Sequence, residues 1–518
     1  MNYTDLTFQN CAKIAVAEAE ELCQVKTFEV RTTPYNPRWF IAFFAYLVAI
    51  HLRFAAYNFK TLAGDDIILL GGSNQKNGFV STFWPSFTDH AQGKWRPVLQ
   101  VILSPLLDFF GGDFWKYQLL NEALLAVCGL LIAVLVTNLT GGKFLLGISA
   151  GSFIIFARFN LYHILQVFGL MESMAIIFML SSLIALEKYA RLRITKFLYF
   201  ANFFFFLAIH THERFLFLVP LVIFCTFIYS AGERLIKRVL LMVLPILIIV
   251  ENYSVKTQVF HMTFLTGGGL TEMNSTTMDI STFSWRALLN VFGYNSGPDY
   301  LSGRNAHLLG DTAVYLALVW SIPVLALVSF AWIKTFRVAG AREGLTKSFV
   351  AVLLIAPLVL SASITFRQEY RWLLAPYIAL IIIAHVSVAI LATSRRAQMV
   401  LCALLVVTGS MVGLYYSRYA ESTYFFSTQY LGDSINDRIF VQYRDQISST
   451  TFVIIDYDAS VFDWAVGDQF YFQEYSPNPD FDIRTINSFE QIAALTDLRE
   501  NLIVFDYRGD QVVQMTSY

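Results

Sequence analysis

Long apolar runs separated by short polar connections fill about the first four fifths of the chain, and that pattern predicts helices that cross a bilayer. Taking runs of roughly 16 to 24 residues as spans, the expected set is 39–57, 114–138, 143–158, 162–186, 196–212, 214–230, 237–252, 312–333, 348–366, 372–393 and 398–416. Residues 97–111 are also apolar, but short, and hold Pro105 and Asp108; they read as a helix lying on the outer surface. The first run begins near Trp39, too late for a cleaved signal peptide, so it is expected to stay as the first helix. Two connections are long, 58–113 and 253–311, which concentrates polar residues on one side.

After Tyr416 the pattern changes. Thr451–Tyr457 (TFVIIDY) and Asn501–Tyr507 (NLIVFDY) are short apolar runs of the kind that form buried strands. Between them, Ser488 and Gln491 form a capping box for a helix through about Arg499. Arg508-Gly509-Asp510 reads as a turn after the second strand. The expected fold class is an all-α polytopic membrane bundle of about eleven transmembrane helices with a small C-terminal soluble α/β domain. Its parts are a cytoplasmic segment 1–38, a transmembrane domain 39–416 and an extracytoplasmic domain 417–518.

Composition agrees. Apolar residues make up 56 % of the chain and charged residues 14 %, too few charges to cover a soluble protein of this length. The mean hydropathy is +0.54. Forty-seven Phe and 26 Tyr suit lipid faces and interfaces. A net charge of -1 gives no electrostatic reason to expect nucleic acid as a partner. Basic residues mark every second connection: Lys188, Arg191, Arg193 and Lys196; Arg234, Lys237 and Arg238; Lys334, Arg337, Arg342 and Lys347; Arg395 and Arg396. By the positive-inside rule these connections are cytoplasmic, as is the N-terminal segment with Lys13, Lys26, Arg31 and Arg38; the C-terminus is then outside. The five cysteines are Cys11, Cys23, Cys128, Cys225 and Cys402; none falls in a stretch placed outside, so no disulfide framework is expected. That fits a cell inner membrane protein of a bacterial envelope.

Four groups of residues carry candidate chemistry. Ala63-Gly64-Asp65-Asp66 sets two carboxylates just past the first span, suited to a general base or a metal ligand; a solvated Gly-Asp turn gives the same string. His210-Thr211-His212-Glu213-Arg214 packs two histidines, an acid and a base into the outer turn between spans five and six. That turn suits a metal or simply a polar interface, and its spacing of two is not the i, i+4 spacing of a helical zinc motif. Arg367-Gln368-Glu369-Tyr370-Arg371-Trp372 puts two arginines outside, against the positive-inside bias, as phosphate forks or headgroup anchors. Glu122 and Glu172 lie inside spans, where ionisable groups face a cavity or a partner; Arg158 and His163 are candidate partners. His163, just below the outer surface, satisfies a buried polar contact or joins that pocket. Gly267-Gly268-Gly269 reads as a mobile loop over the site rather than a phosphate cradle.

The first outer loop continues through Gly93-Lys94-Trp95-Arg96-Pro97, the surface helix, and Gly111-Gly112-Asp113-Phe114-Trp115 into the second span. Here the chain resembles the GT-C superfamily of integral membrane glycosyltransferases, which includes the protein O-mannosyltransferases and the lipid A aminoarabinose transferases. Asp65 and Asp66 match that family's acidic site past the first helix, and Arg96-Pro97 its Lys/Arg-Pro start of a juxtamembrane helix. The resemblance covers about residues 39–250, with a weaker echo at 367–377. It implies an inverting transfer of a sugar from a polyprenyl-phosphate donor to a glycan, lipid or protein acceptor at the extracytoplasmic face. Asp65, with Asp66 second, would be the base; His210, His212, Glu213, Arg214, Arg367 and Arg371 would meet the donor phosphate. Lys94, Arg96, Glu122, Glu172 and His163 would line the substrate pocket, and a divalent Mg or Mn ion at Asp65 and Asp66 remains open. The alternative is a transporter or flippase for a lipid-linked glycan, which would set ionisable residues along a midplane path and show repeat symmetry. No convincing internal repeat is visible.

Overall fold

In lipid every backbone N–H and C=O must find a partner within the protein, so apolar runs of this length fold as helices. The computed structural model describes residues 37–74, 95–231, 233–261, 277–294, 310–363, 370–418, 424–441, 451–455, 466–467, 470–475, 483–486, 502–506 and 514–516. The chain divides into Met1–Ile41, of which the start of one helix from Pro37 is described, and Ala42–Tyr518.

The helices are α1 (Pro37–Phe54), α2 (Asp65–Asn74), α3 (Pro97–Phe110), α4 (Phe114–Leu139), α5 (Phe144–Phe156), α6 (Asn160–Leu165), α7 (Gly169–Leu192) and α8 (Thr195–Thr211). A 3₁₀ turn, Glu213–Leu218, leads into α9 (Val219–Tyr229), then α10 (Leu235–Ser254) and α11 (Thr277–Val291) follow. Gly340 (φ 81°) kinks the next long helix into α12 (Gly310–Val338) and α13 (Glu343–Ser361), and α14 (Leu374–Leu391) and α15 (Arg395–Ser417) complete the bundle.

Six helical segments are long and apolar enough to cross a membrane by length and composition: α4, α7, α12, α13, Arg371–Leu391 and α15. The protein is therefore a multi-pass helical membrane protein. Helices also cover the other five expected runs, but α5, α8 and α9 have 13, 17 and 11 residues, α1 carries Arg38, His51 and Arg53 within its 18 residues, and α10 holds Lys237, Arg238 and Glu251. Helix α3 buries Leu99, Leu103 and Leu107, an i, i+4, i+8 stripe, and exposes Val101 and Phe109.

One expected span is broken. Residues 162–186 were expected to run as one helix, yet α6 stops at Leu165, Gln166 is extended and α7 starts at Gly169. The freed backbone is satisfied from distant segments. Asp66 accepts the N–H groups of Val167 (2.9 Å) and Phe168 (3.4 Å), and Asn121 donates to the carbonyls of Gln166 (2.7 Å) and Ile164 (3.4 Å).

The helix ends sort by charge. Lys143 donates to the Ala389 carbonyl (3.3 Å), Lys334 to the Ile390 carbonyl (2.7 Å), and Arg193 and Arg238 lie over the rings of Tyr229 and Phe227. The carboxylate-bearing turns after α1, before α7 and after α8 fall at the other end.

Beyond α15 lie α16 (Tyr424–Ile435), α17 (Phe470–Tyr475) and four short strands: β1 (Thr451–Ile455), β2 (Ile483–Ile486), β3 (Leu502–Asp506) and β4 (Gln514–Thr516). Their order is β2-β1-β3-β4; β1 runs parallel to β2 and β3, with Phe452 opposite Ile483 and Ile503, and β4 is antiparallel to β3. The helix expected from Ser488, the Gly267–Gly269 run and the Arg508–Asp510 turn lie outside the described residues.

Close helix approach depends on small residues. A Cβ on Gly151 of α5 would stand 2.4 Å from the Gly129 carbonyl oxygen of α4 and 2.5 Å from the Tyr46 hydroxyl. Gly151→Ala should therefore destabilise the protein by about 1–3 kcal/mol, the usual scale for overpacking. The check is its melting temperature in detergent beside the native protein; an unchanged value would mean that α4 and α5 are not in contact there.

Candidate functional site

The site begins with the helix break at 166–168. Glu172 sits in the first turn of α7, where the helix dipole favours an acid, and is buried. Its carboxylate meets Arg214, accepts from His212 Nε2 (3.3 Å) and lies 3.7 Å from Arg371 Nε. The 3₁₀ turn after α8 brings in the next layer. Glu213 receives both arms of the Arg96 fork, from Nε and NH2, each at 2.7 Å, and Arg96 also touches Met171 Sδ at 3.0 Å. Burial alone would raise the Glu213 carboxyl, but the Arg96 guanidinium outweighs it and holds the group well below the usual carboxylate range.

The arginines are also stacked. Arg214 lies 4.2 Å from the centre of the Trp372 ring, and Arg371 lies 4.1 Å from that of Tyr162, whose hydroxyl it bonds. His163 donates from Nε2 to the Arg371 carbonyl (3.1 Å), and its Nδ1 stands 3.4 Å from the Ser173 hydroxyl. His163 thus holds the backbone at Arg371 in place.

Asp66 is fully buried against the break, and Asp65 beside it is half-buried. Burial pushes the Asp66 carboxyl up to about 7; the Val167 and Phe168 N–H groups pull it down, Asp65 pushes it up and Arg371 pulls it down. With its oxygens committed to backbone donors, Asp66 acts as a pin between the acidic loop and α7.

Of the expected site residues, the structure gathers Asp66, Arg96, His163, Glu172, His212, Glu213, Arg214 and Arg371 around the 166–172 break. His210 stands one step out: its Nδ1 donates to the Phe206 carbonyl (2.9 Å), its Nε2 is 3.0 Å from Glu251, and the Trp95 ring meets it edge-on at 4.9 Å. The two histidines point apart, His210 to Glu251 and His212 to Glu172, so they do not share a metal; among the described residues no three His, Cys, Asp or Glu side chains are grouped to hold one.

Glu122 is elsewhere. It pairs with His51 Nδ1 (2.8 Å) and Gln118 (3.1 Å) rather than with either candidate partner, Arg158 or His163. Arg158 instead donates to Asn290 and to the Tyr294 carbonyl after α11 and lies over Tyr416, which ties the end of that helix to the bundle. Lys94 and Arg367 lie outside the described residues.

Sequence reasoning missed Glu251 and the buried Lys256, whose amine interacts electrostatically with Glu213 and Arg96. An acid near the end of an apolar run, followed five residues on by a lysine, was the available signal. Fold and site together describe a multi-pass helical membrane protein with a buried acid–arginine network around a broken helix. No protein-family model matches the sequence, and no curated protein does.

Two outcomes are expected. Glu172→Ala leaves Arg214 beside an empty position and should cost about 3–5 kcal/mol, the scale for removing one partner of a buried pair; thermal melting measures it. Asp66 has a folded-state pKa above its unfolded value, so its stability contribution is present at acid pH and is lost as pH rises through about 7. The difference in melting temperature between native protein and Asp66→Asn should therefore shift with pH across that window, and a constant difference would show that Asp66 does not titrate there.

Proposed function

We propose that the chain is an inverting glycosyltransferase that moves a sugar from a polyprenyl-phosphate donor to a glycan, lipid or protein acceptor at the extracytoplasmic membrane face. The observation that carries this reading is the convergence at one helix break of Asp66 from the acidic loop, bonded to the Val167 N–H, and of Glu172 and Glu213, which hold Arg214, Arg371 and Arg96 from segments far apart in sequence. An acceptor hydroxyl needs a base as it attacks the anomeric carbon, and Asp65, half-buried beside the Asp66 pin, is that base in this reading. Negative charge gathers on the departing phosphate, and Arg371 and Arg214 are the groups suited to stabilise it.

Orientation follows from charge. The basic connections lie at the end away from the acidic loop, which by the positive-inside rule makes the site end extracytoplasmic and the N-terminus cytoplasmic. Nucleotide sugars are cytoplasmic, so a donor reaching that end is lipid-borne. We also read the five shorter or more polar helical runs as crossing, for eleven spans, and residues 417–518 as an extracytoplasmic α/β domain in an inner membrane protein. A transporter or flippase is the second reading; ionisable groups strung through the midplane would favour it, and here Glu122 with its His51 partner is set apart from the network.

The test is transfer from a polyprenyl-phosphate sugar by purified protein. Asp65→Asn should lower the rate by about 10² or more, the scale of general-base loss, with donor binding kept. Arg371→Lys should be nearly as harmful as Arg371→Ala, since lysine keeps the charge and loses both the fork and the stack on Tyr162. Full activity of Arg371→Lys would leave that arginine as an anchor to lipid headgroups.

A further inference from the structure

Among the described residues, chain after the last span makes several polar contacts to the strip leading into the acidic pair. Asp433 of α16 accepts the Lys60 N–H (3.0 Å), the Thr61 N–H (3.0 Å) and the Thr61 hydroxyl (2.8 Å). Gln429, one turn earlier, donates to the Thr61 carbonyl. Tyr475 of α17 accepts the Leu62 N–H (2.7 Å) and donates to the Gly112 carbonyl (2.8 Å), while Glu474 accepts the Gly112 N–H (2.9 Å). Successive backbone groups from 60 to 62 are thus held by chain more than 360 residues away.

A second observation is steric. A Cβ on Gly71, in the helix that Asp65 and Asp66 begin, would stand 2.2 Å from the Phe470 ring. A Cβ on Gly112, at the turn after α3, would stand 2.8 Å from Glu474 and Tyr475. Two glycines in separate parts of the first outer connection are therefore shaped to the same short helix, α17. Sequence composition made the C-terminal region a separate unit; the contacts make it one wall of the acidic loop.

We propose that α16 and α17 are a clamp that positions Asp65 and Asp66, with Asp433 and Tyr475 as its positioning residues. The clamp fixes the chain at 60–62, three residues before Asp65, and again at Gly71 on the far side of the pair. Asp66 then reaches Val167 and Phe168 at the helix break, and Asp65 is set beside it. A misplacement of about 1 Å at a reacting group costs on the order of 10²-fold in rate, so a clamp outside the reacting centre controls turnover without touching substrate. The kinetic consequence rests on the transferase reading; the clamp itself does not.

The experiment uses the full-length protein in lipid nanodiscs and compares the native chain with Asp433→Ala, Asp433→Asn and Tyr475→Phe. Hydrogen exchange is read by mass spectrometry over residues 58–70 and, as the fold control, over α4 and α7. Asp433→Ala and Tyr475→Phe should speed exchange at 60–62 by about tenfold or more, as lost hydrogen bonds of about 1.4 kcal/mol would, with α4 and α7 unchanged. In transfer from a polyprenyl-phosphate sugar, both should lower kcat by about tenfold or more with KM for the donor within about twofold. Asp433→Asn keeps one oxygen where Oδ1 accepts three of the contacts, so it should recover most of both effects. Native exchange at 60–62 in Asp433→Ala and Tyr475→Phe would overturn the clamp. Faster exchange with unchanged kcat would overturn its positioning role and leave the transferase reading standing. Absence of transfer by the native protein would sink that reading instead, and the exchange result would still decide the clamp.

Discussion

One buried carboxylate sets the arrangement of this protein's charged end. Glu172 is out of water at the start of α7, a position that an isolated ion could not hold, because desolvation costs several kcal/mol per charge. It is held because Arg214, His212 and Arg371 converge on it, and each arrives from a different element: the 3₁₀ turn, the end of α8 and the start of the Arg371–Leu391 segment. Satisfying one acid therefore fixes the relative placement of four helix ends. Arg96 and Glu213 repeat the logic one layer out, with a bidentate fork that also ties α3 to the turn after α8.

The same constraint explains the broken helix. A continuous helix from 160 to 192 would satisfy its own backbone and leave Asp66 without donors. Opening it at 166–168 releases two N–H groups for Asp66, and Asn121 takes up the carbonyls of Ile164 and Gln166. The irregular segment is tolerated because it is enclosed by protein and each freed group named here is bonded.

How much of this the sequence disclosed follows from what each signal depends on. Asp65-Asp66, the His210–Arg214 turn and Arg371 stood out because ionisable residues beside apolar runs are costly, a property readable one position at a time. Their convergence was not readable, since it depends on a break that apolar periodicity passes over: LYHILQVFGLM has no charge to mark it. Glu122 shows the same division. Depth within a span marked it as buried, which it is, but its partner is His51 on α1 rather than Arg158 or His163, and pairing across helices leaves no local trace. Lys256 was passed over because it falls just beyond an apolar run, where a lysine is ordinary. The C-terminal residues announced themselves by composition, yet their contacts to 60–62 are long-range and composition is silent on those.

The paired state of the arginines has a consequence for any anion that enters. Arg96 has both arms on Glu213, and Arg214 is engaged by Glu172 and stacked on Trp372. Arg96 and Arg214 are each already compensated by a carboxylate, so they do not act as an empty positive hole that draws phosphate by field alone. In the transferase reading, a donor phosphate arriving there would exchange with a carboxylate. Arg371 is held less closely by Glu172 than Arg96 is by Glu213: its Nε stands 3.7 Å away, and its guanidinium stacks on the Tyr162 ring. Exchange of this kind keeps the buried charges compensated before and after the anion binds, which is what a site out of water requires.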